Sequence, residues 1–298
     1  MSRPHDPARP DLYARVTNLI IADLERGVRP WTRPWSAEHL AGRISRPLRH
    51  TGEPYNGINV LLLWAAAVDR GFAAPTWMTF RQALALGGCV RKGEHGATVV
   101  YADRLTREET DEQGEDVART IPFLKAYAVF NVAQIDGLPE RYAAASAAPA
   151  GPERIASADA FFAATGMTLR DGGGQAFYLP SGDYVQMPPL AAFDDAEAYY
   201  ATLAHEATHW TGHPTRLARD FRSSRWGDAG YAVEELVAEL GAAFLCAELG
   251  LALTPRAEHA DYLGHWLKVL RADHRAIFTA ASHAQRAADF LKGQGVSP

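Results

Sequence analysis

Leu12, Val16, Leu19, Ile20 and Leu24 recur at helical spacing and predict a first helix over residues 11–26. A loop rich in proline and arginine follows at 29–35, reading R-P-W-T-R-P-W. The apolar stretch 59–68 predicts a second helix. A third is expected over 79–86, because Thr79-Phe80-Arg81-Gln82 has the form of a capping box, in which two leftover amide donors at a helix start are satisfied. Residues 97–104 and 121–132 alternate apolar and polar, as paired strands with one buried face do. Between them, the acidic, glycine-containing segment 108–116 is expected to be a solvated hairpin tip. These elements make an α+β unit.

Residues 143–152 read A-A-A-S-A-A-P-A-G-P, which is too small and too rich in Pro and Gly to order itself. They are expected to link a first domain, 1–142, to a second, 153–298, and to let the two behave semi-independently. Beyond the link the pattern predicts a short helix near 157–165. A hairpin follows, its strands 177–180 and 184–188 flanking the turn Ser181-Gly182-Asp183. The rest reads helical over 195–211, 231–250 and most of 257–292. The fold class is α+β, with an α+β first domain and a mainly helical second domain bearing a small β-hairpin.

At 298 residues, 47% hydrophobic and 22% charged, the chain can fill the cores of two ordinary domains. Residues 1–10 are polar and proline-rich, unlike a secretory signal, and the apolar run 60–68 is too short to span a bilayer. No membrane partner is expected. Cys89 and Cys246 are the only cysteines and lie far apart, which favours a reducing, cytoplasmic setting. The net charge of −5 conceals an asymmetry: residues 1–107 carry +6 and the remainder −11. Opposite signs suggest different partners for the two halves, with a basic face in the first third.

The chemistry begins at His205-Glu206-Ala207-Thr208-His209, an H-E-x-x-H motif. On a helix its two histidines share a face and can bind one tetrahedral zinc, while Glu206 is placed as general base and acid. The helical context holds: Asp194 or Asp195 can cap the start, and Gly212 with Pro214 ends it. For the third ligand, His213 lies four residues past His209, but Gly212 and Pro214 break the helix around it. Glu235 on the next helix is the better candidate, with Glu239 one turn later to hold a ligand histidine through its far nitrogen. The bland alternative is that these acids form a solvated stripe. Zn2+ is the expected cofactor, with another divalent ion such as Mn2+ as the alternative. The hairpin is either an ordinary structural one or an edge on which an extended peptide adds as a strand.

Trp31, Trp35, Trp64, Trp77 and Tyr55 make the first domain rich in aromatics, and arginines interleave with Trp31 and Trp35. Flat rings that stack on bases, beside guanidiniums that pair with phosphates, suit single-stranded nucleic acid. The candidate DNA-binding set is Trp31, Trp35, Arg46, Tyr55, Asn56, Trp77, Arg81 and Lys92; Trp64, within an apolar helix, reads as core.

Several long strings resemble the ArdC antirestriction proteins of conjugative plasmids. They are P-W-T-R-P-W, Y-N-G-I-N-V-L-L-L-W, W-M-T-F-R-Q-A-L-A-L-G-G-C-V-R-K-G-E and Y-A-V-F-N-V-A-Q in the first part. In the second they are Y-Y-A-T-L-A-H-E-A-T-H-W-T-G-H and E-E-L-V-A-E-L-G-A-A-F-L. The resemblance implies an amino-terminal domain that binds single-stranded DNA and a carboxy-terminal metallopeptidase-like domain, which Glu235 as third ligand would make gluzincin-like. It also implies protection of incoming plasmid DNA from restriction, but it settles neither whether proteolysis is the working activity nor on what protein. A peptidase site calls for an unidentified protein substrate, with a host restriction component as a candidate. The competing expectation is a DNA-binding shield or regulator whose metal site is structural or non-proteolytic.

Overall fold

A computed structural model of the chain describes residues 11–29, 31, 45–110, 116–142, 152–221, 229–251 and 260–294. Trp35, the centre of the expected hairpin tip (111–115) and nearly all of the expected link (143–151) lie outside them.

Helix α1 (Leu12–Glu25) starts where Asp11 accepts a hydrogen bond from the Tyr13 amide, and it buries Val16, Ile20, Ile21 and Leu24. Leu19, expected on the same stripe, points outward. Helix α2 (Ile58–Arg70) sits against β4 (Ala97–Thr110), where Asn59 pairs with both the amide and the carbonyl of Val100. The capping box predicted for α3 (Phe80–Ala85) forms, with Thr79 and Gln82 exchanging both bonds. The main sheet has the order β1-β2-β5-β4, in which β1 is Leu48–Arg49, β2 is Thr76–Met78 and β5 is Asp116–Asn131. Strands β4 and β5 stay in antiparallel register from Ala97↔Val129 to Thr110↔Asp116. The ribbon therefore runs into both ends of the stretch expected to be a tip. A small pair, β3 (Cys89–Val90) with β6 (Ile135–Asp136), completes this part.

Helix α4 (Pro152–Ala164) begins earlier than predicted. The expected hairpin is present as β8 (Phe177–Leu179) and β9 (Tyr184–Met187), and a third strand, β7 (Leu169–Asp171), lies parallel to β9 on its other side. Strand β8 is thus a sheet edge. Helices α5 (Ala196–Trp210) and α6 (Gly230–Leu249) pack together, with α8 (Ala276–Gln294) and α7 (Ala260–Ala272) around α6. The last helical stretch is two helices, broken at residues 273–275, where Asp273 accepts from the Arg275 amide at 2.7 Å. Helix α6 is apolar on nearly every side, as a helix enclosed by neighbours must be.

The two parts share one hydrophobic core. Trp31 meets Trp266 edge-on with ring centroids 6.0 Å apart, Trp64 meets Phe244 at 5.9 Å, and Tyr13 meets Phe278 at 4.7 Å. The expectation of semi-independent domains rested on the composition of the link, which says nothing about the surfaces that it joins.

Candidate metal centre

Asp195 caps α5 by accepting from the Ala198 amide at 2.7 Å, and fixes where the helix begins. His205 and His209 then fall one turn apart on the side facing α6. The helices approach closely there: a Cβ added to Gly241 of α6 would lie 2.5 Å from the Thr208 side chain. This closeness brings Glu235 to the histidines. The two Nε2 atoms are 3.1 Å apart, and the Glu235 oxygens lie 3.6 Å from that of His205 and 3.5 Å from that of His209. Tetrahedral zinc bonds of about 2.0–2.1 Å would separate neighbouring ligands by about 3.3 Å. His205, His209 and Glu235 thus surround one point with the spacing and donor chemistry of a divalent-metal site.

The surroundings also favour positive charge. Burial opposes a proton on His209, but hydrogen bonding to Glu234 and the nearby carboxylates outweigh it and raise the ring's pKa. His209 Nδ1 meets Glu234 Oε1 at 3.1 Å; with Nδ1 carrying the proton, Nε2 keeps its lone pair for a metal. Arg219 grips the same carboxylate with Nε at 2.9 Å and Nη2 at 2.7 Å, and also donates to Thr211 Oγ1 and the Thr208 carbonyl. Burial would raise the Glu234 pKa, yet the hydrogen bonds from Arg219 and His209 bring it down to about 2.

Glu206 stands beside the ligand set, and its Oε2 accepts from the Tyr178 amide of edge strand β8 at 3.0 Å. The hairpin is tied to the end of α5 by Arg216, which donates to Asp183 and to Tyr178 Oη, donates to the Trp210 carbonyl at 2.7 Å, and covers the Trp210 ring. A cleft of about 770 Å³ opens over the site, lined by Tyr178, Glu206, Tyr231 and Tyr262 among others.

His213 lines this cleft but turns to Thr215 at 2.8 Å and is outside the ligand set. Glu239 is buried one turn beyond Glu235. The carboxylate on the far nitrogen of His209 is Glu234, which the sequence reading missed. Helical i, i+4 spacing selects Glu239, whereas two adjacent acids reach one metal site only when the helices cross at a suitable angle. The E-E doublet was the available signal.

Several candidate DNA residues prove to be core. Trp31 has 0% exposure, Trp77 is buried against Phe72, and the Tyr55 ring is buried. Arg46 is enclosed at the seam between the two parts, where it lies over Phe244, donates to Asn56, Gln285 and the Tyr55 carbonyl, and meets Glu248 at 3.3 Å. Asn56 accepts that bond at its Oδ1 and is itself exposed. Prolines beside a tryptophan mark a loop correctly, but a loop can fold its rings inward when a second surface receives them. Arg81 and Lys92 remain at the surface.

A helix bearing two histidines, a second helix bearing the third donor and a strand edge over the glutamate define a zincin-like fold, and residues 156–283 match the family of zincin-like metallopeptidases. Residues 10–130 match the N-terminal domain of anti-restriction factor ArdC. The crystal structure of the antirestriction ArdC protein from plasmid R388, in its metal-free form, superposes with a TM-score of 0.82 at 49% identity, covering 96% of this chain and 98% of that one. The Mn(II)-bound form of that protein gives 0.78 at 48% identity, over 97% and 99%. This chain belongs to the ArdC antirestriction family. Among curated relatives, protein y4eC of Sinorhizobium fredii (strain NBRC 101917 / NGR234) is 45% identical over 99% of this chain and 96% of its own length. Two Escherichia coli proteins named DNA primase TraC are 39% and 36% identical, and this chain spans only 27% and 20% of their lengths. Among the described residues no helix is long and apolar enough to cross a membrane.

Proposed function

We propose that this chain is a cytoplasmic antirestriction protein that binds single-stranded DNA and carries a zinc-dependent peptidase-type site, protecting incoming conjugative plasmid DNA from host restriction. The DNA reading is supported by family membership and by the primase relatives, whose name denotes work on nucleic acid. The observation that carries the peptidase reading is Glu206, held by the Tyr178 amide directly beside His205, His209 and Glu235. A purely structural metal site has no use for that carboxylate.

Zn2+ suits two imidazoles and one carboxylate, and Mn2+ is the alternative offered by the manganese-bound relative. Once bound, such an ion supplies Lewis-acid polarisation of a peptide carbonyl and of an attacking water. Glu206 takes the proton that the water gives up and passes it to the departing amine. The Tyr178 amide fixes the orientation of that carboxylate, and the edge of β8 offers an extended peptide main-chain partners. Glu234 and Arg219 hold the His209 ring in place. The substrate is a protein, with host restriction components as the first candidates.

The test combines metal analysis with cleavage of a peptide library. His205→Ala and His209→Ala are expected to empty the site, while Glu206→Gln keeps the metal and loses cleavage. Metal loss in Glu206→Gln equal to that of the histidine variants would remove its proposed role. In conjugation into a restricting recipient, protection that persists in Glu206→Gln assigns antirestriction to DNA binding. Loss with metal and DNA binding intact assigns it to the peptidase site.

A further inference from the structure

Recognition of a nucleic-acid backbone needs cations that the protein has not already neutralised. Many of the described arginines are spent on carboxylates: Arg46 on Glu248, Arg91 on Glu94 and Asp136, Arg216 on Asp183, Arg219 on Glu234 and Arg271 on Glu25. Arg49 and Arg141 differ. Among the described residues neither has a carboxylate within ion-pair distance; each guanidinium lies instead over an aromatic ring. Arg49 is 5.4 Å from the Tyr55 centroid and Arg141 is 4.9 Å from that of Tyr142. A ring face positions a guanidinium without cancelling its charge.

Both arginines line one cleft of about 590 Å³ at the β1 end of the main sheet, with His50, Thr51, Thr76 and Tyr142, and no acidic residue lines it. The cleft is built rather than accidental. Arg49 ends β1 in register with Trp77 of β2, so its backbone is fixed by the sheet. Directly after it, Gly52 at φ 90° closes a tight turn by donating to the Arg49 carbonyl at 2.9 Å, which sets His50 and Thr51 around the opening. The far wall is tied to this turn: Arg141 donates to Tyr142 Oη at 3.3 Å, and that hydroxyl donates to the His50 carbonyl at 2.9 Å.

We propose that this cleft holds backbone phosphates of single-stranded DNA, an inference that rests on the DNA-binding function proposed above. Two guanidinium forks match phosphate oxygens, and the hydroxyls of Thr51 and Thr76 add neutral donors. None of these groups reads a base edge, so binding through the cleft is tolerant of sequence. With Trp31 and Trp77 committed to the core, the affinity comes from phosphate contacts and is strongly salt-dependent.

The experiment measures binding of a labelled oligo-dT to the full chain by fluorescence anisotropy across a salt series. Each lost phosphate contact reduces the slope of log affinity against log salt by about 0.7, equivalent to about fivefold in affinity at 0.1 M salt. Arg49→Ala and Arg141→Ala are each expected to show that change, with the double variant showing both and Arg49→Lys recovering most of its share. Arg271→Ala, whose partner is Glu25, is expected to leave the slope at the wild-type value. Melting temperatures of all variants are compared, and Arg49→Gln or Arg141→Gln, which keeps a long polar side chain without the charge, serves if an alanine variant is unfolded. Wild-type affinity and slope in both alanine variants overturn the inference while leaving DNA binding by this protein intact. A wild-type protein that does not bind oligo-dT overturns the DNA reading as well. If the double variant loses heat of binding with inorganic phosphate but keeps its DNA affinity, the cleft takes a free anion and the inference fails.

Discussion

Arg219 is almost wholly shielded and still carries the charge that keeps Glu234 ionised against His209. Glu234→Gln removes the anion from the far side of that ring. Metal affinity should then fall by about 10–100-fold, read by competition with a chromogenic chelator. Glu235→Ala should cost more, because it deletes a donor. A Glu234→Gln site that binds as tightly as wild type would show that the ring is held by packing alone. Acid dependence enters at Asp183. Its pKa is lowered chiefly by the hydrogen bond from Arg216, so it adds stability above the ordinary carboxylate range and loses it as pH falls through the folded value. Asp183→Asn is expected to lower the melting temperature at pH 7, and the gap from wild type should close in acid. The cysteines differ as well: burial pushes the Cys246 thiol up to about 12, whereas Cys89 is exposed. A native thiol titration should find one reactive group per chain, and a denatured one two. At this scale His205, Glu206 and His209 were legible because their relation is local to one helix. Trp31 and Arg46 were misread because their burial is decided by residues more than two hundred positions away.

Helix boundaries were legible wherever a cap marks them. Thr79 and Asp195 each accept the expected backbone bond, and Asp11 caps α1 at the start of its predicted span, so α1, α3 and α5 start where the sequence places them. Strand β7 has three exposed residues and no alternation, so nothing local announced it. What the sequence pattern leaves unsaid is how far apart two predicted helices lie, and here Gly241 sets that distance. Adding one methyl group at Gly241 drives Thr208 away and pushes α6, with Glu235, from the histidines. Gly241→Ala should therefore lower both stability, by about 1–3 kcal/mol, and metal affinity. Thr208→Ala in the same chain should recover part of both, since the two closest clashes are with the Thr208 methyl and hydroxyl. Unchanged metal affinity in Gly241→Ala would mean that the ligand spacing does not depend on this crossing.

Across the whole molecule, the seam made by Trp31, Trp64 and Arg46 against Trp266, Phe244 and Gln285 joins the two parts into one core. Thermal unfolding should be a single transition, with release of added metal and loss of the proposed DNA binding at the same temperature. Trp266→Ala, which empties a fully buried site at that seam, should cost about 3–5 kcal/mol and weaken metal binding and the proposed DNA binding together. Two separate transitions would mean that the seam contributes little. The seam also bears on inheritance. A recombinant gene joining the first part of this chain to the second part of a distant relative inherits a socket without its plug, unless the donor brings a large ring opposite Trp31 and an amide opposite Arg46. Exchange between lineages is thereby expected to favour partners with matched seams, and substitutions there are expected to occur in pairs.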